Sequence, residues 1–321
     1  MSKKLHLILA TGDYESIRAL KEGAVKPDGI ELTVLTDMTS DVRHWRMLRN
    51  REFDVAELSM SNYLMAKYTG LPFAAIPVFL HRRFRHGFVF LNAGRGITKP
   101  TDLIGKKVGL RNFQATANLW IRGILEHEHG VPHRSLNWFK QDEEEVDWTP
   151  PADLKIQRIA PGKEVEQMLL EGELDALVHP DLIKPIREKD KRVTRLFPNY
   201  RDLEVDYFKR TGIFPIMHTT AIKQEIADKY PWAPINLMQA FEASKKAAYK
   251  RMENPRIVPL AWFSHFLEEQ DEILGSDPWE YGLGEKNKKN LETLMLYSQE
   301  QGLLGRKISL EELFIATDTG S

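Results

Sequence analysis

The chain has 321 residues, which is long for one hydrophobic core and sufficient for two α/β domains. With 45 basic and 46 acidic residues its formal net charge is −1, and no lysine-rich block points to a nucleic-acid partner. There is no cysteine, which excludes disulfides, thiolate catalysis and cysteine-ligated metals.

The N-terminal segment is basic and then apolar, and it predicts a first strand. Its apolar run ends at Thr11-Gly12-Asp13, too early for the core of a signal peptide. No later run reaches the ~18 apolar residues of a membrane span. We therefore expect a cytoplasmic protein with no membrane partner, and a periplasmic one only if a leader has been removed.

Strands and helices alternate along the first eighty residues. This alternation predicts a mainly parallel sheet with helices on its faces. The predicted strands cover 4–10, 30–35, 53–58 and 73–79, and the predicted helices cover 14–21, 41–50 and 62–68.

The alternation restarts after Gly94-Arg95-Gly96. Predicted strands cover 107–110, 136–139, 155–159 and 176–178, and predicted helices cover 116–128 and 163–170. The acidic, proline-bounded stretch 141–151 predicts an exposed loop. The C-terminal third predicts helices at 221–229, 234–252, 258–270, 286–301 and 308–316, and we expect it to pack on the first half of the chain.

One short pattern occurs once in each half. Met47-Leu48 precedes Glu52-Phe53-Asp54-Val55-Ala56 by three residues, and Met168-Leu169 precedes Glu173-Leu174-Asp175-Ala176-Leu177 by three. Each copy predicts a helix, a tight turn, an aspartate and a strand. The halves are therefore expected to share one architecture.

Each copy of this pattern leads to a polar loop at the predicted carboxyl end of a strand. The loops are Ser59-Met60-Ser61 and His179-Pro180-Asp181. Ligands of open α/β sheets bind at such strand ends. If the two halves face each other, both loops would line one cleft.

Two further segments predict the strands on which the chain crosses between its halves. The first is 82–91, in which three arginines and a histidine occupy five residues before an apolar run. The second is 211–219, another apolar run that ends in His218 and Thr219. This would place Arg82, Arg85, His86 and His218 around a cleft for a small anionic ligand.

Within these two segments, residues 82–87 and 211–218, together with 120–125, 172–177, 195–198 and 277–279, resemble the 4,5-dihydroxyphthalate decarboxylase family. That family resembles the type II periplasmic-binding-protein fold in enzymatic use. The resemblance covers most of the chain, but the acidic stretch 141–151 is particular to this sequence and does not share it. It implies an α/β protein of two lobes, 1–94 with 215–321 and 95–214, whose helical C-terminal segment packs on the first lobe.

The resemblance also implies a function, the non-oxidative decarboxylation of a hydroxylated aromatic dicarboxylate such as 4,5-dihydroxyphthalate to protocatechuate. The alternative is a solute-binding protein of the same fold for a small anionic aromatic ligand. A thiamine-pyrimidine precursor enzyme is a third hypothesis, weakened because the histidine runs of that group are absent. A small aromatic carboxylate is the expected partner, and a homo-oligomer remains open.

A phthalate-type substrate needs partners for two carboxylates. Guanidinium groups bind carboxylates in a bidentate way, which makes Arg82, Arg85 and Arg111 candidates. The turn 112–116 would add backbone N–H groups at a helix N-terminus. Ser61 and Thr116 could donate hydroxyl hydrogen bonds.

Decarboxylation of an arene needs a proton at the ring carbon, and histidine suits that task near neutral pH. We expect His86 or His218 to donate it, with the other histidine or His179 holding the phenol. Asp13 is the alternative acid. No organic cofactor is needed. A divalent metal bound by His and Asp side chains remains open, although no His-x-His or His-Glu-x-x-His spacing is present.

Simpler interpretations also remain open for several of these residues. Arg85 and His86 are adjacent, so on a regular strand they point to opposite sides and one of them would be structural. His218 follows an apolar run and could be a hydrogen-bonded core histidine. Glu143-Glu144-Glu145 is expected to be solvated.

Overall fold

The computed structural model describes residues 4–316, which divide into two compact units. The first unit comprises the chain up to Arg82, Ile216–Leu291 and the chain from Ile308 on. The second comprises Arg83–Pro215 and Glu292–Lys307. From the sequence, the boundaries between the lobes are instead predicted after residue 94 and before residue 215. Residues 292–307 are likewise predicted in the first lobe.

The strands are β1 Leu5–Ala10, β2 Ile30–Leu35, β3 Val55–Ser59, β4 Phe73–Ile76, β5 Val89–Asn92, β6 Lys107–Leu110, β7 Asn137–Lys140, β8 Ile156–Arg158, β9 Ala176–Val178, β10 Val193–Arg195 and β11 His218–Lys223. The helices are α1 Glu15–Lys21, α2 Ser40–Asn50, α3 Met60–Tyr68, α4 Thr116–His129, α5 Val165–Glu171, α6 Lys184–Arg187, α7 Tyr200–Thr211, α8 Gln224–Lys229, α9 Trp232–Met252, α10 Phe263–Leu274, α11 Glu285–Glu300 and α12 Leu310–Leu313. None of these helices, within residues 4–316, combines the length and hydrophobicity that a membrane span requires.

The first unit is built on a five-stranded sheet of order β2-β1-β3-β11-β4. β1 pairs in parallel with β2 and β3, whereas β11 is antiparallel to β3 and β4. Strand β3 is buried along its whole length, as expected of a central strand covered on both faces. The sheet packs on a core that includes Leu7, Leu9, Ile76, Ile222 and Phe241.

The second unit has a six-stranded sheet of order β10-β5-β9-β6-β7-β8. β6 is parallel to β7 and β9, and β5 is antiparallel to β9 and β10. Helix α5 covers one face of this sheet, with Val165 and Leu169 in a core shared with Phe90 and Leu177. Each unit thus has its own sheet and its own core.

The repeated sequence pattern forms the same structure in both units, which confirms that prediction. In each copy the helix ends on a left-handed residue, Arg51 with φ 52° in one and Gly172 with φ 76° in the other. The aspartate that follows accepts a backbone hydrogen bond from a neighbouring strand. Ile8 N–H donates to Asp54 at 2.9 Å, and Lys107 N–H donates to Asp175 at 2.8 Å.

The structure differs from the prediction at two elements in the returning part of the chain. Residues 200–211 form helix α7, which was not predicted, and Gly212 ends it in a left-handed conformation with φ 68°. The helix predicted over 221–229 begins only at Gln224, because His218–Lys223 inserts as a strand between β3 and β4. The predicted crossing strands 82–91 and 211–219 are strands only from Val89 and from His218 on, and before that Arg82 and Ile216 form an isolated bridge.

Candidate active site

In the first unit, Glu57 and His218 lie next to each other at the end of the sheet where β1 and β3 finish and β11 begins. β1 runs in parallel register with β3, with Ala10 opposite Ala56, so Thr11 lies beside Glu57. His218 begins β11 and pairs with Ser59. Since alternate residues of a strand share a face, Glu57 is a diagonal neighbour of His218 on that face.

The carboxylate of Glu57 is fully buried and is held by five donors. They are His218 Nδ1 at 2.6 Å, Gly12 N–H at 2.7 Å, Tyr14 O–H at 2.8 Å, Arg43 Nη2 at 2.9 Å and Thr11 O–H at 3.2 Å. Burial alone would raise the pKa of Glu57, but His218, Arg43 and the Gly12 N–H more than offset it, and the pKa lies well below the usual range. Glu57 is therefore ionised near neutral pH.

The ionised carboxylate fixes the tautomer and orientation of His218. A carboxylate can only accept, so Nδ1 of His218 carries the hydrogen in the 2.6 Å contact with Glu57. This leaves Nε2 as the nitrogen at which a proton can be exchanged with a ligand. A buried carboxylate behind an imidazole also offsets the positive charge of the ring when it takes up a proton. The side chain of His218 is 12% exposed, whereas that of Glu57 is 0% exposed.

Two more histidines pack against His218, and neither of them was predicted from the sequence as a site residue. The rings of His81 and His44 lie edge-on to it, with centroids 4.7 Å and 4.9 Å away. Burial, followed by the neighbouring charges of His218 and Arg43, holds the pKa of His44 well below its usual value, so His44 is neutral near pH 7. Tyr14 stacks on His81 at 6.3 Å. His218 and Tyr14 thus contact the Glu57 carboxylate directly, and His44 and His81 pack against the His218 ring.

The other predicted site residues of the first unit lie in different surroundings. Asp13 is exposed and pairs with Lys21 at 2.9 Å. The guanidinium of Arg82 is buried and donates to the Glu280 carbonyl at 2.9 Å. Ser61 is fully buried within α3. Ligand binding by Asp13, Arg82 and Ser61 therefore stays a prediction. Of the site residues predicted in this unit, His218 is the one that contacts the Glu57 carboxylate.

In the second unit, Arg85 and His86 are both buried. Arg85 donates to the Pro180 carbonyl at 2.7 Å, and burial, followed by repulsion from Arg83, lowers its pKa to about 9. His86 begins a short 3-10 turn, and burial, followed by the nearby His129, lowers its pKa to about 4. His86 is therefore neutral near pH 7.

His179 lies at the end of β9, in the loop predicted to follow a strand. Its Nδ1 lies 2.9 Å from the carbonyl oxygen of Asp181, to which the protonated nitrogen donates, and 3.1 Å from the backbone N–H of Asp181, from which the unprotonated nitrogen accepts. Burial lowers the pKa of His179, so its neutral form is favoured.

The acidic stretch 141–151 is a loop that is only partly solvated, and this corrects part of the prediction made for it, since Glu143 is exposed but Glu144 and Glu145 are buried. Glu144 is 9% exposed and accepts from the backbone N–H groups of Phe113 and Gln114, both at 3.0 Å. These N–H groups belong to the turn before α4, which was predicted to bind a substrate anion. A helix N-terminus favours a negative charge, and the chain places its own carboxylate there. Arg111 likewise pairs with Asp142 at 2.6 Å.

Comparison with known proteins gives a family for the whole chain. Residues 17–138 match the family model described as NMT1/THI5 like. The 4,5-dihydroxyphthalate decarboxylase of Comamonas testosteroni is 31% identical over 320 residues, which covers 97% of this chain and 96% of that protein. This chain belongs to the 4,5-dihydroxyphthalate decarboxylase family. The Pseudomonas putida protein of the same name is 31% identical over 213 residues, covering 64% of this chain and 82% of that protein.

Solved structures show the fold of this decarboxylase family member. The periplasmic aliphatic sulphonate binding protein SsuA from Escherichia coli matches with a TM-score of 0.58 at 11% identity, over 97% of each chain. The alkanesulfonate-binding protein SsuA from Xanthomonas axonopodis pv. citri bound to MOPS matches with a TM-score of 0.57 at 11% identity, over 98% of this chain and 100% of that one. The predicted periplasmic-binding-protein-like α/β fold is therefore confirmed.

Two segments that carry the resemblance to the decarboxylase family stabilise the cores. Asp277 accepts from Lys245 at 2.6 Å and from Tyr249 at 2.7 Å, which neutralises a lysine that is 1% exposed. Arg122 is fully buried, donates to the Phe113 carbonyl at 2.8 Å and lies over the Phe113 ring. Within residues 4–316, no three or more His, Asp or Glu side chains are arranged to hold a metal ion.

Proposed function

We propose that this protein decarboxylates a hydroxylated aromatic dicarboxylate such as 4,5-dihydroxyphthalate, releasing protocatechuate and carbon dioxide, with His218 as the proton donor. The observation that carries the proposal is the pair of Glu57 and His218, an ionised and fully buried carboxylate 2.6 Å from an imidazole nitrogen. Membership of the 4,5-dihydroxyphthalate decarboxylase family supports the reaction class.

The substrate supplies most of the driving force for this reaction. In 4,5-dihydroxyphthalate one hydroxyl lies para to each carboxylate and can push electron density into the ring. The ring carbon that bears the carboxylate then takes a proton. When the bond to the carboxylate breaks, carbon dioxide leaves and the electron pair restores the aromatic ring. One proton is consumed per turnover, so the protein must hold an acid near the ring carbon.

His218 suits this role because Glu57 holds its Nδ1 hydrogen and leaves Nε2 for proton transfer. Glu57 balances the charge of the protonated ring, and Tyr14 and Arg43 act as positioning residues for Glu57. His44, neutral near pH 7, suits an acceptor for a phenol hydroxyl. We assign the proton donor to His218 and not to His86, whose pKa of about 4 leaves it without a proton to give.

The scheme uses no organic cofactor, and a cytoplasmic location belongs to the same proposal. Carboxylate binding by Arg82, Arg85 and Arg111, hydroxyl hydrogen bonds from Ser61 and Thr116, and a phenol contact from His179 remain predictions. Guanidinium groups are the expected partners because they bind carboxylates in a bidentate way.

The test is incubation of the purified protein with 4,5-dihydroxyphthalate, with and without a chelator, while protocatechuate and carbon dioxide are measured. We expect one protocatechuate for each carbon dioxide released. Turnover that a chelator abolishes and a divalent metal restores would add a metal to the scheme. Saturable binding of the dicarboxylate without any product would instead favour the solute-binding alternative, which the likeness to sulphonate-binding structures supports.

A further inference from the structure

The second unit contains an open pocket that the proposed reaction does not use. Its volume is about 590 Å³, a size typical of sites for small molecules. The pocket is bounded by the 3-10 turn His86–Phe88, the loop after β9, and residues at the ends of α6, β10 and α7. All of its lining residues belong to the second unit.

The lining of this pocket is strongly cationic. Arg83, Arg187 and Arg195 line it, against one carboxylate, that of Asp181. Asp181 pairs with Arg83 at 3.3 Å, but both side chains are well exposed, so water and salt weaken the pair. The pocket therefore carries an excess of positive charge and suits an anion.

Two of the three guanidinium groups, those of Arg187 and Arg195, have N–H groups that can donate to a ligand. Arg187 is exposed, and within residues 4–316 its side chain makes no hydrogen bond or ion pair. Arg195 donates through Nε to the Gly87 carbonyl at 3.0 Å, which fixes its guanidinium at the pocket wall with the terminal nitrogens still able to donate. Guanidinium groups bind carboxylates and phosphates in a bidentate way.

The uncharged part of the lining contains two aromatic rings, those of Phe88 and Tyr200, beside Gly87 and Leu182. The guanidinium of Arg195 lies over the Tyr200 ring at 5.0 Å, and Phe88 lies beneath Arg83 at 5.1 Å. The buried Arg85 stands 5.3 Å from the same Phe88 ring and adds positive charge behind that wall. Flat rings beside guanidinium groups favour a planar, anionic and aromatic ligand over a compact inorganic anion.

We infer that this pocket binds a small aromatic carboxylate, with Arg187 and Arg195 on the carboxylate and Tyr200 and Phe88 against the ring. The ligand class follows from the pocket alone and does not depend on the proposed reaction. The ligand is either the substrate of the protein or a separate aromatic acid, and the two have the same recognition chemistry.

The experiment is calorimetric titration with phthalate, which has the two carboxylates but lacks the hydroxyls that drive decarboxylation. We expect Arg187→Gln and Tyr200→Leu each to weaken phthalate binding by about tenfold or more, a loss of about 1.4 kcal/mol or more. Arg201→Gln is the matched control, since Arg201 is exposed, lies on α7 and does not line the pocket. Cyclohexane-1,2-dicarboxylate should bind more weakly than phthalate because it has no flat ring.

Affinity for phthalate that is the same in wild type, Arg187→Gln and Tyr200→Leu would overturn the inference, and so would inorganic phosphate that binds as tightly as phthalate. Calorimetry needs no turnover, so this result is independent of whether the proposed reaction occurs. The kinetics of Arg187→Gln with 4,5-dihydroxyphthalate separate the two sources of ligand. A raised KM with unchanged kcat identifies the substrate as the ligand, and unchanged KM and kcat identify a separate aromatic acid.

Discussion

At the scale of single residues, the site depends on how Glu57 is held. Its five donors keep a charged group stable in a fully buried position, where an unpaired carboxylate would be strongly unfavourable. Because Tyr14 and His218 share one oxygen of this carboxylate, the hydroxyl of Tyr14 also fixes the direction from which His218 is held.

Tyr14→Phe is expected to lower kcat by about three- to tenfold and the free energy of unfolding by about 1.5–3 kcal/mol, since one hydrogen bond to a charged group is lost. KM should change little, because the ring remains. Steady-state kinetics and urea unfolding check both values. Tyr68→Phe, an exposed tyrosine of the same unit, is the matched control. An unchanged kcat in Tyr14→Phe would show that its hydroxyl does not position the pair.

Glu204 provides a pH-dependent test in the second unit. Burial raises its pKa to about 7, although the backbone N–H groups of Gly87 and His86 and the charges of Arg85 and Arg195 act in the opposite direction. The folded protein therefore keeps this proton longer than the unfolded chain does. Its stabilising effect is complete at low pH and is lost as the pH rises from about 4.5 to about 7.

We expect Glu204→Gln to remove this loss, so that the stability of the variant relative to wild type rises by roughly 3 kcal/mol between pH 4.5 and a pH above 7. His86 and His129, whose pKa values are lowered, titrate in the opposite sense in both proteins, so the difference between the two proteins is the quantity to follow. Urea unfolding across this pH range measures it, with the exposed Glu188→Gln as control. A difference that does not vary with pH would contradict the assignment.

Some of these site residues could be predicted from the sequence and others could not, for physical reasons. His218 was found because it ends an apolar run at a predicted strand end. Glu57 carried a signal that was not used, a charged residue inside the apolar strand Val55–Ser59. His44 had none, because its approach to His218 is created by packing between α2 and the sheet.

At the scale of elements, the repeated helix–turn–aspartate–strand pattern was predictable because it is local. Each aspartate accepts from a strand that is its parallel neighbour, β1 in one unit and β6 in the other. Non-local elements were not predictable in this way. β11 becomes a strand through its pairing with β3 and β4, and Glu144 is buried because N–H groups of a distant turn are available to it.

Asp54→Ala should lower the free energy of unfolding by roughly 1.5–3 kcal/mol, because the Ile8 N–H loses a charged acceptor. Asp54→Asn should cost less, since its amide oxygen can still accept. The equivalent pair of variants at Asp175 should behave in the same order. Urea unfolding and hydrogen exchange at Ile8 and Lys107 measure the effects. Equal stability of the alanine variants and wild type would mean that these bonds do not hold the strands.

At the scale of the whole molecule, the sequence predicted two α/β bodies because the alternation of elements restarts near residue 96. It did not predict that 292–307 belongs to the second unit, since that assignment depends on packing between distant segments such as Gly123 and Tyr297. The proposed proton transfer to an aromatic acid rests on membership of the decarboxylase family and on the pair of Glu57 and His218.

The most direct test of this account is the kcat of His218→Gln with 4,5-dihydroxyphthalate, compared with His265→Gln at an exposed position of the same unit. General acid catalysis contributes about 10²–10⁴-fold, so His218→Gln should lose about that much kcat and keep its affinity for the substrate. His265→Gln should match wild type. A His218→Gln variant that turns over at the wild-type rate would contradict the account.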